Sequence, residues 1–425
     1  MVKQSNMQKR PVALNVFYDD RLVGTLHDTS PLAFDYAAAW LEWPQGMPLA
    51  AIPMQPGLQD APSVQAFFEN LLPEAELRQY LSEQRKATTL FSLLWEVAGD
   101  TAGAFVIVSA GQQPAPPAYV PTTWQAIAAR MKQATVAMID VTDAGARISL
   151  AGAQDKNSVA IFDGGVPQLP LGTAPSTHII KPDIKRLAKV WHSAANETLV
   201  MTIAAKCGLP TAEVFYEPHT QSCVVRRFDR VTLPGPSLRR LVQYDLCQLA
   251  GVLSERKYEK EGGPGLAECA RLIREYSHRP IADLRHFVLW IFFNLYAGNN
   301  DSHAKNLSMY RLPGKGLTLA PFYDLMCTRE YPDLSREFAF SIGGEVQPGR
   351  VGRAHLRQMA IDLRMSERYV LDLARELATI MPKAVDEAMA IVMPTLPSGA
   401  KDLTTRVSQF VLSTTRKCVA RFEQD

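Results

Sequence analysis

Hydrophobic and polar positions follow two different periods along this chain, and the switches between them mark its elements. Residues 12–26 carry two β-rich runs on either side of Asp19-Asp20, a turn-forming pair, and read as a hairpin. From Val64 to Leu81 apolar residues recur at helical spacing, interrupted by Pro73, and Thr89 to Val97 reads as a further helix. Gly103 to Ser109 returns to a strand, so residues 1–110 predict a compact α+β module. Gly111 to Thr123 then holds four prolines and no charge. That composition disfavours helix and sheet alike and predicts a domain linker over 111–123.

Beyond it, Trp124 to Met138 is helical in pattern. The small residues of Ala151-Gly152-Ala153-Gln154-Asp155-Lys156 lead into a β-rich run, Ser158–Phe162. Such a stretch lets a backbone approach a ligand closely, as a phosphate-cradling loop requires, and it is equally the turn of an ordinary hairpin. Thr177 to Pro182 is a strand ending in Lys181, where an ammonium could meet phosphates or simply be solvated. Asn196-Glu197 opens a helix running to Cys207, with Gly208 as its cap. Glu197 could pair with Lys181, or merely complement the helix dipole. Cys223 to Arg230 is a strand with a charged exit, and Lys257–Gly265 is a glycine-rich loop. From Leu266 onward the pattern is nearly all helical.

The helical part is interrupted once, at the stretch with the clearest chemistry. Phe287 to Ala297 is an apolar run that reads as a buried helix; Asn299 to Asn306 follows as a polar loop, and Tyr323-Asp324 lies shortly after. Asp301 precedes Asn306 by five positions, and Asp324 comes eighteen after that. Phosphoryl transfer needs such a set: a carboxylate for the acceptor hydroxyl, and an amide with a second carboxylate to hold Mg²⁺ against phosphates. The Asp-to-Asn spacing equals that of the protein-kinase catalytic loop. An Asp/Asn-rich loop is also a common solvated turn.

Composition narrows the field. A net charge of +2 argues against wholesale binding to nucleic acid or membrane. The six cysteines are scattered without a C-x-x-C pair, which predicts reduced, mostly buried thiols. The start of the chain lacks the apolar core of a secretory signal, and the most hydrophobic run falls short of the ~20 residues that span a bilayer. A cytoplasmic protein is expected.

Together these stretches resemble the HipA-type serine/threonine kinases, toxins of bacterial toxin–antitoxin modules. The likeness runs in order through Phe68–Pro73, Arg147–Lys156, Thr177–Lys181, Asn196-Glu197, Arg227–Arg230, Asp245–Gln248, Gly262–Gly265, Asp301–Asn306 and Pro321–Asp324. It implies an α+β fold: an N-terminal subdomain joined to a two-lobed kinase-like domain, with an ATP-binding lobe over 124–230 and a largely helical catalytic lobe over 231–425. It implies ATP and Mg²⁺ as cofactors. By resemblance, Ala151 to Lys156 (Ala151, Gly152, Ala153, Gln154, Asp155, Lys156) is the phosphate-side loop and Lys181 meets the α/β-phosphates. Arg226, Arg227 and Phe228 form the linker that reads adenine. Asp301 is the catalytic base. His303, Ala304, Lys305 and Asn306 lie against the nucleotide with Tyr323, and Asn306 and Asp324 hold Mg²⁺. Ser149 matches the serine that family members autophosphorylate, and that added negative charge switches the kinase off.

Two positions depart from the family pattern: Arg226 stands where the family has Glu, and Asp155 replaces Glu. Neither touches Lys181, Asp301, Asn306 or Asp324, so an active kinase is expected. The resemblance implies an aminoacyl-tRNA synthetase, notably the glutamyl enzyme, as protein substrate. It implies a small helix-turn-helix antitoxin, HipB, as partner, with operator DNA reached only through that complex. The arginines between Arg350 and Arg375 alternate with Asp362, Glu367, Asp372 and Glu376, which reads as a solvated helix face. The rival readings are a small-molecule kinase of the aminoglycoside or choline type and a non-enzymatic co-repressor module.

Overall fold

The computed structural model of the chain describes residues 10–97, 99–133, 156–187, 189–235 and 237–424. Ser149 and the loop residues Ala151, Gly152, Ala153, Gln154 and Asp155 therefore lie outside the described residues.

The N-terminal hairpin forms as its pattern predicts. Strands β1 (Ala13–Tyr18) and β2 (Arg21–His27) turn at Asp19, whose φ of +51° is the left-handed conformation that Asp tolerates. With β3 (Ala33–Tyr36) and β4 (Phe105–Ser109) they build an antiparallel sheet in the order β3-β2-β1-β4. Short helix α1 (Ala38–Leu41) follows β3. The interrupted helical pattern resolves into α2 (Pro62–Glu69) and α3 (Ala75–Arg85) on either side of Pro73, as a residue without an amide proton requires. Helix α4 (Leu90–Val97) completes the module.

The proline-rich segment is not wholly a linker. Ala118–Pro121 is β5, paired with β7 (Pro167–Leu171) in a six-stranded antiparallel sheet. The other strands are β6 (Asn157–Ile161), β8 (His178–Pro182), β9 (Val214–Glu217) and β10 (Ser222–Arg226), in the order β5-β7-β6-β8-β10-β9. Because β5 lies at the sheet edge, Pro121 removes no interior ladder bond, and the prolines are tolerated. Helix α5 (Trp124–Gln133) packs Ile127 and Met131 onto Val159, Leu169, Ile180 and Val224. On the other side lies α6 (Ser193–Lys206), which opens three residues earlier than its sequence pattern predicts.

A short two-stranded ribbon, β11 (Arg230–Leu233) with β12 (Ser237–Arg240), leads into the second lobe. There β13 (Gln243–Asp245), β14 (Ser308–Arg311) and β15 (Leu317–Leu319) form a small sheet. The rest is helical: α7 (Leu246–Ala250), α8 (Leu266–Tyr276), α9 (Pro280–Ala297), α10 (Arg353–Asp362), α11 (Glu367–Val392) and α12 (Ser398–Phe422). The core of this lobe is the stretch of α9 from Phe287 to Ala297, buried throughout and apolar nearly all round as an enclosed helix must be. Its Phe287, Trp290, Phe292 and Tyr296 are wholly buried, and each such side chain contributes roughly 1.5–3 kcal/mol of transfer free energy. Helices α11 and α12 pack against α9 and also against α6, tying the two lobes together.

Helix α9 ends at Gly298, with φ +68°, where a Cβ would meet the Phe410 ring at 2.5 Å. Only glycine fits that turn, and it leads the chain sharply out of α9 into the loop that begins at Asn299. All six cysteines are free and buried. Arg353 and Arg357 pair with Glu367, and Arg375 with Glu423, as a solvated helix face does. Among the described residues no helix is long and apolar enough to cross a membrane.

Candidate active site

Three parts of the chain meet at one cleft, the kind of concave place where small-molecule sites form. Ile179, Lys181 and Val225 come from the sheet, Asn306, Tyr323 and Asp324 from the helical lobe. Asn70, Leu71, Glu74 and Ala102 come from the N-terminal module, a contribution the sequence pattern did not announce.

Lys181 sits at the end of β8, buried, and donates to Glu197 Oε1 at 2.5 Å and Asp324 Oδ1 at 2.7 Å. Glu197 lies in the second turn of α6 and is buried, so it pairs with the lysine and does not serve the helix N-terminus. Burial alone would favour the neutral amine, but the carboxylates of Asp324 and Glu197 outweigh it and hold Lys181 firmly protonated. Burial likewise pushes the Asp324 carboxyl up, and Lys181 and Lys156 overcome that and hold it ionised. Asp324 adopts φ +60°, an uncommon conformation outside glycine, of the kind that gathers at functional sites. The following segment is clamped by Asn196, whose amide donates to Cys327 O at 3.0 Å and accepts from Cys327 N at 2.9 Å. One helix thus fixes both the partner of Lys181 and the backbone just after Asp324.

The loop after Gly298 is fixed in the same way. Asn299 donates to Asn294 Oδ1 at 2.7 Å, and the Asn300 amide donates to Thr328 Oγ1 at 2.8 Å. Asn306 donates to Asp301 O at 3.2 Å, which fastens the two ends of the Asp-to-Asn spacing together. Asp301 is exposed at the edge of the cleft, its backbone tied to the lining residue Asn306. It accepts a hydrogen bond of 2.7 Å from Tyr258, a residue the sequence offered only as part of a glycine-rich loop.

Several predicted contacts are placed otherwise than expected. Lys305 borders the cleft, but its three ammonium protons are taken by Asn70 O at 3.0 Å, Asn70 Oδ1 at 2.7 Å and Asp245 Oδ2 at 2.8 Å. It anchors the N-terminal module and has no proton left for a nucleotide. Arg227 also borders the cleft, yet its buried guanidinium is committed to Asp100, Asp229 and Ser176. Arg226 turns its exposed guanidinium to Glu213 at 2.9 Å. Phe228 and Tyr323 pack ring to ring at 5.6 Å and, with Ile179, Val225 and Leu71, give the cleft an apolar wall suited to a flat base. The Tyr323 hydroxyl meets Ser308 at 2.7 Å and Lys305 O at 3.1 Å. Ala304 is buried beneath the loop.

The donor set fits a nucleotide triphosphate with its cation. His303 is buried, its Nδ1 has no hydrogen-bond partner among the described residues, and burial pushes its pKa down to about 3. The orphaned nitrogen leaves His303 free to make one further hydrogen bond. Among the described residues no three His, Cys, Asp or Glu side chains cluster to hold a metal alone. Asn306 and Asp324 supply one amide and one carboxylate, the partial set that suits Mg²⁺ completed by phosphate and water. Lys156 faces the same space; burial and the nearby Lys181 bring its pKa down to about 8. If it meets phosphates, nucleotide affinity is flat below about pH 8 and falls above it, by up to about tenfold per unit as the proton is lost. Calorimetric titration with ADP across pH 7–10 checks this, and Lys156→Met removes the limb.

Comparison with known proteins gives the family and the fold. Residues 148–385 match the HipA-like C-terminal domain and residues 14–108 the HipA N-terminal domain. The putative kinase Y4mE of Sinorhizobium fredii is 35% identical over 350 residues, covering 78% of this chain and 81% of that protein. The serine/threonine-protein kinase toxin HipA of Shewanella oneidensis is 28% identical over 406 residues, 91% of each chain. A solved structure of the S. oneidensis toxin–antitoxin system, HipA with HipB and its operator DNA, matches with a TM-score of 0.83 at 26% identity, covering 96% of this chain and 97% of that one. The architecture is the two-lobed, kinase-like α+β fold, and the chain belongs to the HipA family of kinases.

Proposed function

We propose that this chain is a serine/threonine-protein kinase toxin that transfers the γ-phosphoryl group of ATP to a protein hydroxyl. The observation that carries the reading is the Glu197–Lys181–Asp324 chain of contacts, at 2.5 and 2.7 Å, set deep in a cleft whose mouth holds the exposed Asp301 carboxylate. Asn306 and Asp324 would hold Mg²⁺, which would supply positive charge against the phosphates. Lys181 holds the inner phosphates, His303 faces them, and the wall of Phe228 and Tyr323 seats the base. Asp301 orients the acceptor hydroxyl and takes its proton.

The family likeness carries the finer points of the proposal. The acceptor is an aminoacyl-tRNA synthetase such as the glutamyl enzyme, and its phosphorylation halts translation and arrests growth in a persistent state. Ser149 is the site of inactivating autophosphorylation. The partner is a HipB-like helix-turn-helix antitoxin, which is the company HipA keeps in the S. oneidensis structure. Operator DNA is contacted through that complex, and the setting is the cytoplasm. Intact-mass spectrometry after incubation with Mg·ATP tests the chemistry. One added phosphate, mapped to Ser149 and absent in Asp301→Ala, is the expected result. No gain by protein that binds ATP and starts unphosphorylated would overturn it.

A further inference from the structure

The loop between α7 and α8 crosses directly in front of Asp301, and it is held there from several sides. Ser254 donates its amide and hydroxyl to Glu69 at 2.9 and 2.6 Å. Lys257 reaches Glu74 at 2.7 Å. Glu259 accepts from the Ser341 amide at 2.5 Å and its hydroxyl at 2.9 Å. At Gly263 a Cβ would lie 2.0 Å from the Arg256 carbonyl oxygen, so the loop closes tightly on itself. The N-terminal module and the segment around Ser341 therefore both fix the residue at the loop's centre, Tyr258.

Tyr258 stands edge-on to the His303 ring, with centroids 5.1 Å apart, and donates its hydroxyl to Asp301 Oδ1 at 2.7 Å. Among the described residues no other group hydrogen-bonds to that carboxylate. A carboxylate at a solvent-open mouth rotates in a broad torsional well unless something holds it, and phosphoryl transfer requires it aligned on the incoming hydroxyl.

We propose that Tyr258 is a positioning residue: its hydrogen bond to Oδ1 fixes the Asp301 carboxylate so that Oδ2 receives the acceptor's proton. In that step the acceptor oxygen bonds to the γ-phosphorus and the bond to the β–γ bridging oxygen breaks. ADP leaves, and the hydroxyl proton passes to Oδ2. The inference rests on the reading of Asp301 as the base.

Tyr258→Phe tests it, because the ring against His303 is kept and only the hydroxyl is lost. ADP release from Mg·ATP, with water as acceptor, is followed for wild type, Tyr258→Phe and Asp301→Asn, beside ADP affinity for each. The expected result is a kcat lower on the order of tenfold for Tyr258→Phe, one hydrogen bond's worth, with unchanged KM for ATP and unchanged ADP affinity. An unchanged kcat would show that the hydroxyl positions nothing. A raised kcat would make Tyr258 a plug in the acceptor's place, which also overturns the proposal. If Asp301→Asn turns over like wild type, the reading of Asp301 itself fails, and the role of Tyr258 with it.

Discussion

Asp301→Asn is expected to lower phosphoryl transfer by ~10²–10⁴-fold, the usual contribution of a positioned general base, while ADP affinity stays as in wild type. The reasoning is geometric. Asp301 stands at the mouth of the cleft, apart from the inner set of Lys181, Glu197 and Asp324, so its charge serves the acceptor more than the nucleotide. The amide keeps an oxygen for Tyr258, and the loop remains fastened through Asn306 and the Asp301 carbonyl. Lys181→Met should behave differently. It leaves the buried Glu197 and the Asp324 carboxylate without their shared cation, so nucleotide binding and stability fall together. Rate and affinity measured on the two variants separate the acceptor side of the site from the phosphate side.

The second large effect concerns stability. Asp100, buried, accepts from the amide and hydroxyl of Ser176, from Arg227 at 3.0 Å and from Arg230 at 2.9 Å, with Arg240 at 3.7 Å. Asp229 completes the group, receiving Arg227, Arg230 and the Gly103 amide. Asp100→Ala leaves buried guanidinium groups under-compensated and should cost about 3–5 kcal/mol, read as a lower urea midpoint. Burial would push the Asp100 carboxyl up, but the three arginines outweigh it and hold it well below the carboxylate range. A carboxylate lowered in the folded state stabilises the fold above its unfolded value of about 3.9. That gain is lost only as pH falls toward the folded value. The gap between variant and wild type is therefore constant from neutral pH to about pH 4 and narrows below it.

The hairpin, the α9 run and the Lys181 strand were legible because each expresses a local period or a local turn chemistry. Tertiary partners decided what remained hidden. Arg227, Asp229 and Arg230 read as a charged strand exit, yet they are buried, because Asp100 and the backbone of Thr101 and Gly103 meet them across more than a hundred residues of chain. Pattern along the chain cannot show that pairing. The α6 start was read late because Ser193, inside the first turn, follows an N-cap, His192, whose side chain makes no capping bond. The prolines of the 111–123 segment, Pro121 of β5 among them, pointed to a linker because the cost of a strand proline depends on edge or centre, which is a property of the sheet. In the cleft, residue types and spacings singled out Asp301, Asn306 and Asp324 as candidates, and the family resemblance chose the phosphate reading of Lys181 over a solvated one. They could not separate Lys305 the anchor from a nucleotide ligand, nor single out Tyr258 within its loop.

The packing of α12 bears on when the cleft becomes complete. Synthesis runs from the N-terminal end, and every residue of the cleft has been added by Asp324. Helix α6, which carries Glu197 and the Asn196 clamp, is covered by α11 and α12, and α12 ends at Phe422. Until those helices arrive, one side of α6 is bare, and the helix rests on the sheet and on the Asn196 clamp alone. A growing chain on the ribosome thus carries the whole cleft lining for almost a hundred residues before the last helix that packs on α6 is made. The cleft is complete in sequence well before it is complete in packing.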